Sequence, residues 1–453
     1  MFDKKLLATL RLHNSSITSI ETFYLPSSLN CKLGESDVKQ FPLFNPSFIT
    51  ADESGILIWW NITTRRPLGI WKAHDDVILT VKQLGLKWHS SSVSNANVPE
   101  TNDSFGQLLT HSKDGTIKIW KLIDILNYES LEFTYTGLLK KQLSDDICRV
   151  MPPLLFQMPV NNLNFSNIDI NFTGFLITPA TIESEGFDIY VLDITQQEEH
   201  KKLRRLVNNY QLRNDSENET VDHEVKTDLT KRKGTGVIMK IIWLNEDQFA
   251  IGFESGELAI FRLSSNLGEF IVENKLKNDM LVGNPITAIS FDRIQNRLLW
   301  ASTGSKLCIL NILELTPFVV ELKHKGVSDI AVDSSSVGLI TWDGYVRFYD
   351  YCDDGTLRFA SKTRRRAPAI STSKEAIEFN DENTRINAMD IQRASVIKFT
   401  MKQVDPAQNK LAKVFYTNGR CKNVVKRNRE NIYGEQWMFV GYHDGNVSIN
   451  SII

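Results

Sequence analysis

The sequence predicts an all-β chain closed into a ring of seven four-stranded blades, and three observations carry that prediction. A unit recurs: a short apolar strand, an acidic or polar residue with glycine, then an alternating strand ending in aromatics. It reads FITADESGILIWWNI (48–62), LLTHSKDGTIKIWKL (108–122), FAIGFESGELAIFRL (249–263), GLITWDGYVRFYDY (338–351) and FVGYHDGNVSIN (439–450), with weaker copies FLITPATIESEGFDIYVLDI (175–194) and LLWASTGSKLCILNI (298–312). One such unit cannot bury its apolar faces alone, whereas seven stacked in a circle can. The last copy stops short of an outer strand, and LLATLRL (6–12) is placed to supply it, which leaves the ring without an unpaired sheet edge.

Each unit is preceded by a candidate innermost strand. In chain order these are SSITSIETF (15–23), VILTVKQL (77–84), PVNNLNFS (159–166), GVIMKIIWL (236–244), PITAISFD (285–292), GVSDIAVD (326–333) and RINAMDI (385–391). Gly55, Gly115, Gly256, Gly344 and Gly445 fall where a tight hairpin between the second and third strands needs a permissive backbone. Trp59, Trp120, Phe261 and Tyr349 follow them at strand spacing, where they pack between adjacent blades. The whole of residues 1–453 is read as one propeller, with a charged insertion at 196–233 that holds an outer strand near RRLVNNY and a mobile remainder.

Composition narrows the function classes. The chain is 42% hydrophobic with 24 Phe, 9 Trp and 11 Tyr, enough for a large core, and its formal net charge of -2 offers no general attraction to nucleic acid or lipid headgroups. Cys31, Cys148, Cys308, Cys352 and Cys421 form no close metal-ligand pair and no evident disulfide framework, which fits a reducing compartment. No apolar run approaches the roughly 20 residues that span a bilayer, and MFDKKLLATLRLH lacks a long secretory core. The expected locations are the nucleus and the cytoplasm, so the Asn-x-Ser/Thr matches at Asn61, Asn171, Asn218 and Asn446 carry no weight as glycosylation sites.

The polar constellations read as structure. His74 in KAHDD precedes an inner strand, His324 in KHKGVSD holds the same kind of place, and Ser112 and Trp120 are the expected partners of His74, because a buried polar group needs partners. His111 and Asp114 lie close together in LLTHSKDG, where a hairpin accounts for them better than hydrolysis does. No activated Ser, Cys or Lys stands beside an orienting base, and no nucleotide-binding glycine loop occurs, so no enzyme activity and no cofactor are expected.

Length varies in one place. About two dozen residues before FITADES, the segment 85–106 and the segment 392–436 all separate a blade's first and second strands, so they emerge on one face of the ring. That face is either a docking surface or a place where length is tolerated. Two basic runs, Lys362 with Arg364, Arg365 and Arg366, and Lys422 with Lys426, Arg427 and Arg429, suit phosphate, an acidic partner or an import receptor, or form a solvated surface. Arg364, Arg365 and Arg366 are the candidate partner-binding residues. No continuous basic groove with interleaved aromatics is visible, which argues against direct nucleic-acid binding.

The DG hairpins followed by Trp-containing strands, DGTIKIWKL above all, resemble WD-repeat (WD40-type) propellers, although Trp59 is followed by Trp60 and Trp120 by Lys121 rather than by Asp. ADESGILIWWNITTRRPLGIWKAHDD (51–76), AIGFESGELAIFRL (250–263), ITWDGYVRFYDY (340–351) and VGYHDGNVSIN are similar in order and layout to the fungal ASTRA-associated WD-repeat proteins and to the animal G-protein beta-subunit-like WD-repeat proteins. The resemblance rests further on the TTRRPL turn at Arg65 and Arg66 and on the last DG hairpin at Asp444 and Gly445. It implies a noncatalytic interaction scaffold of the chromatin-associated ASTRA complex. Such a scaffold works with the Tel2-Tti three-protein assembly and its chaperone machinery in maturing phosphatidylinositol-3-kinase-related kinases. A WD-repeat substrate receptor or ribosome-assembly scaffold is the other reading.

Overall fold

Seven four-stranded antiparallel sheets form the blades of a propeller in the computed structural model. It describes residues 4–27, 43–90, 97–127, 131–136, 151–161, 166–193, 202–212, 234–266, 269–333, 335–352, 356–366, 391–401, 403 and 436–452. Strands are lettered a to d from the axis outward. Blade 1 is Ile17–Pro26, Phe44–Asp52, Ile56–Asn61 and Arg66–Lys72; blade 2 is Ile78–Gln83, Gln107–Ser112, Thr116–Lys121 and Leu154–Pro159. Blade 3 is Asp169–Ile170, Phe175–Pro179, Phe187–Asp193 and Lys202–Tyr210; blade 4 is Ile238–Trp243, Gln248–Phe253, Leu258–Asn266 and Glu269–Asn278. Blade 5 is Ile286–Asp292, Arg297–Ser302, Lys306–Asn311 and Thr316–Glu321; blade 6 is Val327–Val332, Ser336–Thr341, Val346–Tyr351 and Leu357–Thr363. Blade 7 takes strands a to c from Ala394–Phe399, Gln436–Tyr442 and Asn446–Ile452, and its outer strand is Lys4–Arg11.

The N-terminal closure is therefore as the sequence predicts. Lys4–Arg11 runs antiparallel to Asn446–Ile452 from Lys4↔Ile452 to Arg11↔Asn446, with a bulge between Leu6 and Ala8. Leu10, Val447 and Ile449 are buried in one cluster with Ile58 and Trp60 of blade 1, so the closing strand joins the last blade to the first.

Position in the blade explains the sequence pattern. Strand b is covered on both faces by neighbouring blades, and Gln107–Ser112, Ser336–Thr341 and Gln436–Tyr442 are buried at every position. Strand a turns one face to the channel and alternates, as in Ile78–Gln83 and Ile238–Trp243. Strand d lies at the rim, and Glu269–Asn278 is mostly exposed. Side chains then stitch blade to blade through strand a. Asn167 accepts from Ile241 N at 3.0 Å and donates to its carbonyl at 2.7 Å, Asp169 accepts from Trp243 N at 2.7 Å, and Asp329 accepts from Ile397 N at 2.8 Å.

Two inner strands lie elsewhere than expected. PVNNLNFS does not hold strand a of blade 3: Pro159 ends the outer strand of blade 2, and Asp169–Ile170 is the inner strand. Its pattern is diluted because Asn167 and Asp169 serve as stitching groups rather than as core. RINAMDI is not strand a of blade 7 either; Ala394–Phe399 is, while Ile391 pairs with Arg366 in a separate two-stranded sheet and 385–390 lie outside the described residues. The third insertion accordingly begins after Phe399 rather than at 392. The first is shorter than expected, because strands a and b of blade 1 continue pairing out to Pro26↔Phe44. The second carries its own hairpin, Leu86–Ser90 with Asn97–Thr101. In the 196–233 insertion an outer strand forms at Lys202–Tyr210, and 213–233 lie outside the described residues.

Candidate interaction face on blade 6

The histidines come first, since they are the residues most able to do chemistry. His74 Nδ1 meets Asp114 Oδ2 at 2.9 Å and Nε2 meets Thr110 Oγ1 at 2.8 Å, while Trp120 Nε1 donates to the same Thr110 oxygen at 3.0 Å. Trp120 thus joins His74 as expected, but through Thr110; Ser112 instead donates to the Asp76 carbonyl. Blade 1 repeats the network with residues the sequence reading passed over. His13 meets Asp52 and Thr50 at 2.7 Å each, and Trp60 Nε1 donates to Thr50 Oγ1 at 2.8 Å. Trp60, five residues after Gly55 as Trp120 is after Gly115, holds the network position, whereas Trp59 Nε1 bonds Ser47 across the other face of the sheet. That five-residue offset is the signal that finds Trp60.

Asp114–His74–Thr110 has the connectivity of a hydrolytic triad, yet its surroundings fit a structural role. His74 and Thr110 are buried, and the Thr110 hydroxyl is already engaged by both His74 and Trp120. Burial pushes the His74 pKa down, and the Asp114 charge opposes this without reversing it. His111 points away from this network with neither ring nitrogen bonded among the described residues, and burial, aided by the nearby His74, pushes it down to about 3.

Blade 6 departs from this plan. Leu339 stands where Thr110 does and Tyr349 where Trp120 does, counting from Gly344 and Gly115, so no hydroxyl occupies the Thr110 position; Thr341, two residues on, instead donates to Asp343 Oδ1 at 2.6 Å. His324 is exposed and approaches Asp343 only at 3.4 Å. Arg347 takes the carboxylate instead, donating to both oxygens at 2.8 and 2.6 Å and also to Thr341 Oγ1. Burial pushes the Asp343 carboxyl up, but the Arg347 and Thr341 hydrogen bonds outweigh it and hold it well below the usual carboxylate range. Trp342 is packed over Gly326, whose φ of +76° and lack of a Cβ both matter: an added Cβ would lie 2.2 Å from the indole. The indole remains 49% exposed, a large apolar group left at the surface.

Three cations surround the ring of Tyr345: Arg347 at 5.1 Å, Lys362 at 5.0 Å and Arg364 at 5.1 Å from its centroid. Asp343 neutralises Arg347; no carboxylate pairs with Lys362 or Arg364 among the described residues. Lys323 and Lys325 are exposed in the loop that carries His324. Of the three arginines singled out from sequence, Arg364 alone joins the cluster around Tyr345. Arg365 meets Asp444 at 3.0 Å and lies over the Tyr442 ring, tying blade 6 to the last hairpin, and Arg366 pairs its backbone with Ile391. Lys422, Lys426, Arg427 and Arg429 lie outside the described residues.

In an antiparallel meander the a–b and c–d turns leave one end and the b–c and d–a turns leave the other. Trp342 and Tyr345 lie at a b–c hairpin and Arg364 in a d–a connection, so they share one face of the ring. The three a–b insertions, and the blade 1 turn at Arg65 and Arg66, belong to the opposite face. Gly445 of the last hairpin sits at the first face against the carbonyl of His13, which an added Cβ would approach to 2.5 Å.

A family profile described as ASTRA-associated protein 1 matches residues 6–450. The chain is 30% identical to the ASTRA-associated protein 1 of Komagataella phaffii over 97% of this chain and 96% of that one. It is 25% identical to the one from Debaryomyces hansenii over 98% of each, and 30% identical to the one from Candida tropicalis over 75% of this chain and 77% of that one.

Proposed function

The chain belongs to the ASTRA-associated protein 1 family, and from that premise we propose that it is a noncatalytic scaffold of the ASTRA complex that binds partners through the Trp342–Tyr345 face of blade 6. The observation that carries this reading is the pair of cations, Lys362 and Arg364, held over the Tyr345 ring without a carboxylate partner among the described residues, on the hairpin that also carries the exposed Trp342. Interfaces draw their energy from a few aromatic and Arg anchors, and this face presents both. The histidine networks favour the noncatalytic part of the reading, because each triad-like hydroxyl is buried and already bonded.

The partners proposed are ASTRA subunits and the Tel2-Tti three-protein assembly, with a role in maturing phosphatidylinositol-3-kinase-related kinases and with residence in the nucleus and the cytoplasm. The test is quantitative affinity purification with the full chain, with the variant Trp342→Ala combined with Lys362→Glu and Arg364→Glu, and with each a–b insertion shortened in turn. The reading expects the blade 6 variant, folded as judged by circular dichroism, to lose most partner recovery. Full recovery with that variant and loss on shortening an insertion would move the interface to the opposite face. Failure of the intact chain to recover the Tel2-Tti assembly would favour a substrate receptor or ribosome-assembly scaffold.

A further inference from the structure

The ring axis holds a cavity of about 470 Å³ lined by strand a of the blades and by the Leu86–Ser90 hairpin at the insertion face. Its volume is that of a small-molecule site. Charged side chains reach it from several blades, and those from adjacent blades pair: Lys82 with Asp169, and Lys398 with Glu21 at 2.6 Å. Lys240 of blade 4 and Arg293, just past strand a of blade 5, do not pair in this way. No hydrogen bond or ion pair reaches Lys240 Nζ among the described residues, and Arg293 donates to the Trp243 carbonyl at 3.3 Å. Asp329 is the carboxylate that Lys240 senses, but its oxygens accept from Ile330 N at 2.9 Å and from Ile397 N at 2.8 Å, so it serves the backbone first. The Lys240 ammonium is half-buried at the channel wall without a bonded counter-charge among the described residues, and the other lining carboxylates, Glu21 and Asp169, are already taken by Lys398 and Lys82, so an anion entering the channel meets it unopposed.

We propose that this channel binds a small phosphate-class anion, inorganic or esterified, with Lys240 as its anchor and Arg293 supplying further positive charge. The cations lining the wall, Lys82, Lys240, Lys398 and Arg293 together with the hairpin's Lys87, outnumber the lining carboxylates Glu21, Asp169 and Asp329. Lys87 has its own partner, Glu246, at the hairpin, so the imbalance falls on Lys240 and Arg293. The site lies away from the blade 6 face and does not depend on the reading given for that face.

Thermal unfolding and isothermal titration of the full chain, with inorganic phosphate, pyrophosphate and glycerol 3-phosphate each at up to about 10 mM and with NaCl at matched ionic strength as control, test it. The proposal expects a rise in unfolding temperature with at least one of the three beyond the NaCl control. Lys240→Gln should weaken binding about tenfold or more, and Asp329→Asn, which removes the competing negative charge, should tighten it severalfold. Preference for glycerol 3-phosphate over the inorganic anions would identify an ester as the ligand class, and the reverse an inorganic ion. No effect beyond NaCl, or an equal effect in Lys240→Gln, would overturn the proposal; if that variant does not fold, Asp329→Asn binding no tighter than the wild type would do so.

Discussion

Closure of the ring by Lys4–Arg11 can be tested within that one strand. Leu10 is 8% exposed and packs in the cluster shared by blades 7 and 1, whereas Leu6 is 61% exposed. Truncating a buried leucine removes its transfer free energy and leaves a cavity, typically about 2–5 kcal/mol, and an edge strand that can partly collapse belongs at the lower end, about 2–3 kcal/mol. Leu6→Ala removes an already hydrated side chain and should change stability by less than about 0.5 kcal/mol. Equilibrium urea unfolding followed by tryptophan fluorescence reads the difference directly, because Trp60 and Trp437 lie in the same cluster as Leu10. Equal midpoint shifts for the two variants would refute the closure energetics. A deletion of residues 1–11 should go further, baring the edge of Asn446–Ile452 and promoting self-association visible by light scattering. The deletion must spare His13, since losing it would also strip Asp52 and Thr50 of a partner.

Two further predictions concern the buried polar groups. His111 has no bonded ring nitrogen among the described residues, so His111→Phe should stabilise the chain by about 1–3 kcal/mol at neutral pH, measured by urea unfolding; a loss of stability would show that the imidazole has partners. The same variant should flatten the acid limb. With the folded pKa lowered to about 3 from the ordinary 6.5, the unfolded chain takes up the proton first, so stability falls as pH drops through that window, by up to about 1.4 kcal/mol per pH unit from this group, and His111→Phe lacks that slope. Thr110→Val strands His74 Nε2 and Trp120 Nε1 together and should cost about 2–4 kcal/mol, whereas Thr341→Val, at a site where Asp343 keeps Arg347, should cost less; equal urea midpoints would contradict the network.

Strands b and c were legible because neighbouring blades cover them on both faces, which forces an apolar run and a glycine hairpin in every copy, with an aromatic in strand c of all but blades 5 and 7. Strand a was legible in five blades and misplaced in two, and the failures share a cause. Asp169–Ile170 is two residues long and flanked by polar groups that stitch to Ile241 and Trp243, so its neighbourhood reads as loop. Ala394–Phe399 follows an equally regular alternation at RINAMDI, and nothing local distinguishes the two. The blade 1 network stayed hidden because His13 lies just past the segment read as the closing strand, and because its carboxylate, Asp52, lies three residues before the glycine rather than one. The blade 6 face was half legible. Its basic run was visible, but the partition of adjacent arginines between the Tyr345 ring and Asp444 depends on how the d–a connection crosses to the last blade.

The same position in the repeat has two fates, and the difference separates fold from function. In blades 1 and 2 the hydroxyl of strand b draws histidine, aspartate and tryptophan inward, and the hairpin closes over them. In blade 6 leucine replaces that hydroxyl and Arg347 captures Asp343, so His324 stays outside with Lys323, Lys325 and the indole of Trp342. Asp343 and Arg347 keep an internal network of their own, and the side chains left outside it, Trp342, Lys362 and Arg364, are the ones placed to meet a partner. Substitutions at Thr50 or Thr110 should therefore shift unfolding, whereas charge reversal at Lys362 or Arg364 should leave unfolding nearly unchanged while altering partner recovery. If reversal at Lys362 and Arg364 destabilised the chain as much as Thr110→Val, the cations around Tyr345 would be part of the fold's support, and the case for a docking face there would fail.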